Sequence, residues 1–234
     1  MEEYFSHILF LDIETVPGMP SYNTLSERMK HLWDKKADSM KRAENDTPES
    51  LYEKAGIFAE FGKIICISTG VIVGGKAHIK SFFGHNEKDL LNEFADYLRD
   101  LPSRGVRLLC AHNGKEFDFP WICRRMMING IRIPDMLNIQ GKKPWEIAHI
   151  DTMELWKFGD YKNFTSLDLL TELFDIPTPK DDINGADVAR VYYEEDDLIR
   201  IMQYCQKDVV ALIQLLRRLN YMPLIPEVNV MYNA

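Results

Sequence analysis

The chain has 234 residues, 46% hydrophobic and 27% charged, with 28 Lys and Arg against 36 Asp and Glu. That length fits one large domain or at most two small ones, and the composition excludes disorder and collagen-like repeats. A formal net charge of -8 excludes a protein that coats DNA by general electrostatics, so any nucleic-acid contact must be local or helped by cations.

In chain order, residues 7–14 read as a strand. Residues 18–62 are polar, with helices predicted over about 26–42 and 48–59. Residues 63–73 and 77–83 read as strands joined at Gly74-Gly75, a hairpin signal. An amphipathic helix is predicted over 87–100, a strand over 106–111 and a helix over 120–129. Asp151-Thr-Met-Glu154 has the form of a capping box opening a short helix. Residues 165–174 read as helical, Pro177 and Pro179 interrupt, and a long helix is predicted over 196–219. Strands with interspersed helices, followed by helices, predict one mixed α/β layer fold without internal repeats.

Cys66, Cys110, Cys123 and Cys205 form no CxxC pair and lie in apolar segments. They read as reduced, buried thiols of a cytoplasmic protein. The N-terminal stretch lacks a basic start and carries Asp12, so no signal peptide is expected. The apolar run at 64–73 is broken by Ser68 and Thr69 and is too short to span a membrane. Residues 70–77 follow a phosphate-loop pattern until Ala77, which lacks the required hydroxyl, and a strand follows where a helix is needed.

Three motifs carry chemistry. In Phe10-Leu-Asp12-Ile-Glu14, alternate residues share a strand face, so Ile8, Phe10, Asp12 and Glu14 point the same way. Two carboxylates about 7 Å apart repel, and a cation between them would remove the repulsion. The other reading is a strand that reaches solvent. In His112-Asn113-Gly-Lys-Glu-Phe117-Asp118-Phe-Pro120, Asp118 is either a functional acid or a helix N-cap, and Asn113 either a ligand contact or a turn residue. In Tyr204-Cys-Gln-Lys-Asp208, Asp208 falls at the edge of the apolar stripe of the last helix, with Tyr204 one turn earlier. A carboxylate there needs a metal, an Arg partner or a capping role. Together, Asp12, Glu14, Asp118 and Asp208 make an all-oxygen set suited to Mg²⁺ or Mn²⁺.

The order Asp-x-Glu, Asn-x3-Phe-Asp, Tyr-x3-Asp resembles the DEDD superfamily of 3′–5′ exonucleases, on the ribonuclease H-like fold with a mixed central β-sheet flanked by helices. Tyr204, four residues before Asp208, matches the tyrosine form, DEDDy; a histidine form would place His where Gln203 stands. The stretch 112–125 resembles the proofreading exonuclease domain of family B DNA polymerases, and the whole chain looks like the free-standing predicted exonucleases related to it. The resemblance implies one exonuclease domain over 1–234, with a helical insertion at about 18–62. It implies that Asp12, Glu14 and Asp208 bind a first metal, that Asp12 bridges to a second, and that Asp118 supports the second through water. Tyr204 would orient the attacking water, and Asn113 and Phe117 would contact the terminal nucleotides. The implied substrate is the 3′ end of single-stranded nucleic acid, DNA preferred over RNA, with DNA replication or repair proteins as possible partners and no membrane. A ribonuclease D-like RNA exonuclease and an inactive nucleic-acid-binding module on the same fold are the alternatives. Arg124-Arg125, Lys142-Lys143 with Trp145, and Lys157 with Lys162 are candidate strand contacts.

Overall fold

The computed structural model describes residues 2–160, 162–177 and 183–233. The interruption expected at Pro179, and the neighbouring Lys180, lie outside the described residues. A helical turn, α1 (Glu2–Phe5), precedes β1 (Ile8–Pro17). The helical segment holds α2 (Glu27–Asp38), α3 (Pro48–Leu51) and a 3-10 turn over Tyr52–Ile57. Then come β2 (Gly62–Val73), β3 (Lys76–Phe83), α4 (Glu87–Asp100), β4 (Leu108–Ala111) and α5 (Asp118–Ile128). The remainder is β5 (Ile150–Asp151), α6 (Thr152–Lys157), α7 (Leu167–Leu173), α8 (Val188–Tyr193), α9 (Leu198–Leu219) and β6 (Val230–Asn233).

The strands form one six-stranded mixed sheet in the order β5-β4-β1-β2-β3-β6. β1 runs antiparallel to β2 and parallel to β4, so it is paired on both sides. That explains its nearly continuous apolar run, since both faces are covered. Leu9, Leu11 and Ile13 pack with Leu91, Phe94 and Leu98 of α4 and Phe119 and Ile122 of α5. Ile8 and Phe10 pack on the other face with Val209, Leu212, Ile213 and Leu216 of α9. Helix α9 comes close because residue 70 has no side chain: a Cβ there would press on Ile213 and Val209 at 2.8 and 2.9 Å. The hairpin expected at Gly74-Gly75 is present, with both glycines at positive φ as a two-residue turn requires.

The helical segment builds a small core of its own around Trp33, with Leu51, Tyr52 and Ala55. It is tied to the sheet by Thr15 Oγ1 donating to Gly56 O at 2.7 Å and to α5 by Trp121 Nε1 donating to Ile57 O at 3.2 Å. The helix expected over 48–59 stops at Leu51 and tightens into the 3-10 turn, which aims the Gly56 carbonyl at Thr15. Nearby, the buried Glu87 carboxylate accepts from Ile64 N, from Arg125 Nε and Nη2, and from Asn129. Arg125 Nη1 donates to Ala59 O at 2.8 Å. Arg125 therefore clamps α5 to the core and is not a strand contact; breaking such a buried pair would strand its partner's charge.

Candidate active site

β1, α5 and α9 each deliver acids to one place. Asp12 and Glu14 extend the Ile8–Phe10 face of β1 toward α9, and the β2 register sets Ser68 and Cys66 opposite them. A register shift falls immediately after Glu14. Such a bulge re-aims side chains at the end of a strand. Glu14 is 7% exposed and Asp12 half-buried.

Asp118 is the first residue of α5, and the N-cap position belongs to Phe117, without a side-chain capping bond. The helix starts two residues before the expected 120, because Pro120 fits the first turn, where no backbone donor is needed. The Asp118 carboxylate is 3% exposed and accepts from the backbone N–H groups of Ile13 and of Asp118 itself, which sets it beside β1. The capping reading of Asp118 is thus replaced by a buried acid facing the Asp12 strand.

Helix α9 is capped by Asp197, whose Oδ1 accepts from Arg200 N at 3.0 Å. One turn apart on it, the Tyr204 hydroxyl donates to the Asp208 carboxylate. Both are half-buried, and Tyr204 packs on the cluster of Val16, Ile65, Val191 and Ile201.

Burial, then the charges of Asp208 and Asp118, push the Asp12 carboxyl well above its usual range. Burial, then Asp12 and Asp208, do the same to Glu14. Burial raises Asp118 to about 7, against the pull of its backbone donors. Burial and the charges of Asp208, Glu14 and Asp12 raise the Tyr204 phenol, so it keeps its proton at any physiological pH. The groups bearing most on Asp12 and Glu14 are therefore burial and other acids. Carboxylates held together this way call for a cation, and an oxygen-rich donor set fits a hard divalent ion such as Mg²⁺ or Mn²⁺.

Two contributors were not foreseen as site residues. Cys205 lies between Tyr204 and Asp208, with its Sγ donating to Asp12 Oδ2 at 3.4 Å. Ligand atoms of Asp12, Glu14 and Cys205 all lie within 4.8 Å of one another. The stripe of α9 marked Cys205 as buried, but not against what. The other is Asp151, 3% exposed at the end of β5. Its Oδ1 accepts from Asn113 N at 2.9 Å and Met153 N at 3.0 Å, and its Oδ2 from Lys115 N at 3.1 Å. Asp151 therefore caps α6, as its sequence context suggested, and also ties down the loop that carries Asn113, Phe117 and Asp118. Glu154 does not close a capping box; it pairs with Lys115 Nζ at 2.8 Å. In the same loop Asn113 sits at φ 62, where Asn is tolerated, and a Cβ on Gly114 would overlap Ala111. Phe117 is half-buried, 6.3 Å from the Trp121 ring.

Asp151→Ala is expected to destabilise the protein by about 1–3 kcal/mol, since several buried donors lose one shared acceptor. Asp151→Asn, which keeps one oxygen, should fall between. Denaturant midpoints of the three proteins check this; an Ala variant matching wild type would mean the loop is held by other contacts.

The sheet order, its helix layers and the carboxylate cluster define a ribonuclease H-like α/β protein. Residues 57–223 match the family described as predicted 3′–5′ exonucleases related to the exonuclease domain of PolB, and the chain belongs to that family. The match holds Asn113, Phe117, Asp118, Tyr204 and Asp208, while Asp12 and Glu14 precede it on the strand that pairs with β2 and β4. A similar solved structure is the family B DNA polymerase of the archaeon Pyrobaculum calidifontis, at 14% identity and TM-score 0.55. The likeness covers 90% of this chain, and the chain spans 24% of the polymerase. At that identity the likeness speaks for the fold. No curated protein matches the chain. No helix among the described residues is long and apolar enough to cross a membrane.

Proposed function

We propose that this chain is a metal-dependent 3′–5′ exonuclease that removes nucleoside 5′-monophosphates from single-stranded DNA. The observation that carries this reading is the meeting of Asp12, Glu14, Asp118 and Asp208, with the Tyr204 hydroxyl on Asp208. The four carboxylates would hold two divalent cations. When bound, such ions lower the pKa of a water and neutralise charge on the attacking and leaving oxygens of a phosphoryl displacement. The chain's own residues do the rest. Tyr204 stays protonated and hydrogen-bonded to Asp208, so it orients the attacking water and does not deprotonate it. Water oxygen joins phosphorus as the bond to the 3′-oxygen breaks, leaving a strand one nucleotide shorter. Asn113 presents its amide from a loop fixed by Asp151, and Phe117 offers a half-buried ring to the terminal base.

The same reading takes residues 1–234 as one exonuclease domain in which 18–62 is a helical insertion held to the sheet through Gly56 and to α5 through Ile57. Four free thiols support a reducing, cytoplasmic setting, and replication or repair proteins are the partners such an activity would serve.

A 5′-labelled DNA strand and its RNA equivalent, each incubated with Mg²⁺ or Mn²⁺, test the reading. A ladder of stepwise products from the 3′ end is expected, faster on DNA and absent with chelator. Internal cuts, or metal-independent products, would refute it. Preference for RNA would shift the reading to a ribonuclease D-like activity.

A further inference from the structure

Helix α6 ends in a way that folding alone does not explain. Its C-cap, Phe158, adopts φ 44 and ψ 33, the left-handed conformation that suits Gly or Asn and penalises a bulky side chain. Yet Phe158 is 91% exposed, so the ring gains no burial in return. A strained residue retained without packing points to a role at the surface. A second aromatic, Phe164, is 63% exposed, and Lys157 Nζ stands 4.3 Å from its ring centroid. Lys162, also exposed, adds a second cation, while the nearby Asp160 has an oxygen engaged by the Lys162 backbone N–H at 3.2 Å.

This surface is fastened to the candidate active site. His112 Nε2 donates to Thr165 O at 2.9 Å, which leaves Nδ1 to accept from the Thr152 hydroxyl at 2.8 Å. One imidazole thus joins the start of α6 and the residue after Phe164 to the position before Asn113.

We propose that Phe158, Phe164 and Lys157 form a stacking platform for single-stranded nucleic acid, engaging bases that precede the 3′-terminal nucleotide. The proposal rests on the exonuclease reading only for the strand's polarity. Two exposed rings and two lysines within residues 157–164, with Lys157 over the Phe164 ring, match what a strand offers, a face on every base and a phosphate between them, and they do so in a chain of net charge -8. Exposed Leu155, Leu169 and Leu173 on α6 and α7 make a protein the competing occupant, and the Lys157 ammonium over the Phe164 ring favours a strand over it.

The test uses the full chain with chelator, so that no strand is degraded, and single-stranded DNA carrying one 2-aminopurine at successive distances from its 3′ end. Wild type is expected to quench the probe at internal positions. Phe158→Gly and Phe164→Ala should lose that quenching and raise Kd about 5- to 100-fold each. Phe158→Gly should also melt at the same or a higher temperature, because glycine relieves the left-handed backbone. Lower melting together with weaker binding would make Phe158 a structural residue and overturn the platform. So would unchanged binding and quenching in both variants, or a wild-type oligomer that either variant dissociates while strand binding persists. Binding and position-specific quenching without metal-dependent hydrolysis would refute the nuclease and keep the platform. Hydrolysis insensitive to both variants would do the reverse.

Discussion

Asp12→Ala and Asp208→Ala are expected to abolish the product ladder, whereas Tyr204→Phe should retain a measurable rate. Asp12 feels the charges of both Asp208 and Asp118 and is itself the largest charge acting on Glu14, so its removal takes a ligand from the centre of the cluster. Asp208 is both a member of the cluster and the acceptor of the Tyr204 hydroxyl, so its loss also frees the phenol. Tyr204→Phe removes only the hydroxyl and leaves the ring packed on Val16 and Ile65. A positioned acid–base group is typically worth ~10²–10⁴-fold, and an orienting hydroxyl belongs at or below the low end of that range. Single-turnover rates on a labelled strand decide the ranking. Equal inactivity of Tyr204→Phe and Asp208→Ala would give the phenol a larger role than orientation.

The second large effect is on stability. Without metal, Asp12→Asn should melt at the same or a higher temperature than wild type, though it is inactive. It keeps the shape of the side chain and an oxygen for the Cys205 thiol, and it deletes a charge that burial and its neighbours oppose. Two charges 4 Å apart at an effective dielectric near 20 interact by about 4 kcal/mol, an upper guide. The sign of the pH dependence follows from raised folded-state pKa values. Well below pH 4, these carboxyls are protonated folded or unfolded, and the advantage of the variant should be roughly nil. As pH rises, the unfolded chain releases its protons first, so the metal-free native state loses stability until the folded carboxyls ionise. For Asp118 that point is about 7. The gap between variant and wild type should therefore widen through this interval. Saturating Mn²⁺ should stabilise the wild type by about 2.7 kcal/mol at a hundred times Kd, raising its melting temperature, and the variant much less. Melts with chelator and with Mn²⁺ at several pH values measure both effects. A metal-free Asp12→Asn clearly less stable than wild type would mark Asp12 as a satisfied structural acid and favour the inactive binding module.

Much of the fold was legible because local rules and tertiary packing agree. The period-2 run at 8–14, the Gly74-Gly75 turn and the stripe of α9 each appear where the pattern put them. β5 and β6 were missed because two and four residues carry no periodicity, and their pairing is decided by neighbours far along the chain. α8 was missed because its Val and Tyr residues are weak helix formers, held instead by packing on Val16 and Ile65. Within the site, strand alternation put Asp12 and Glu14 on one face. The placement of Asp118 could not be read, since an Asp before Pro120 has the same local signature whether it caps a helix or turns inward to Ile13. Cys205 and Asp151 share that difficulty. One looked like an ordinary core residue and the other like an ordinary cap, and only tertiary contact shows that each touches the site or its loop.

The span of the site along the chain has a consequence during synthesis. Cys205 touches Asp12 across 193 positions, and Tyr204 and Asp208 flank it on α9. A ribosome therefore releases β1 and α5, with three of the four acids, well before the last acid and the phenol emerge. Until α9 docks, the growing chain lies beside messenger and ribosomal RNA with an incomplete carboxylate set. If the proposed activity extends to RNA, late completion would keep the nascent chain harmless to its own template. For the same reason, proteolytic fragments that lose α9 would be inert, and no partial activity would outlive the intact protein.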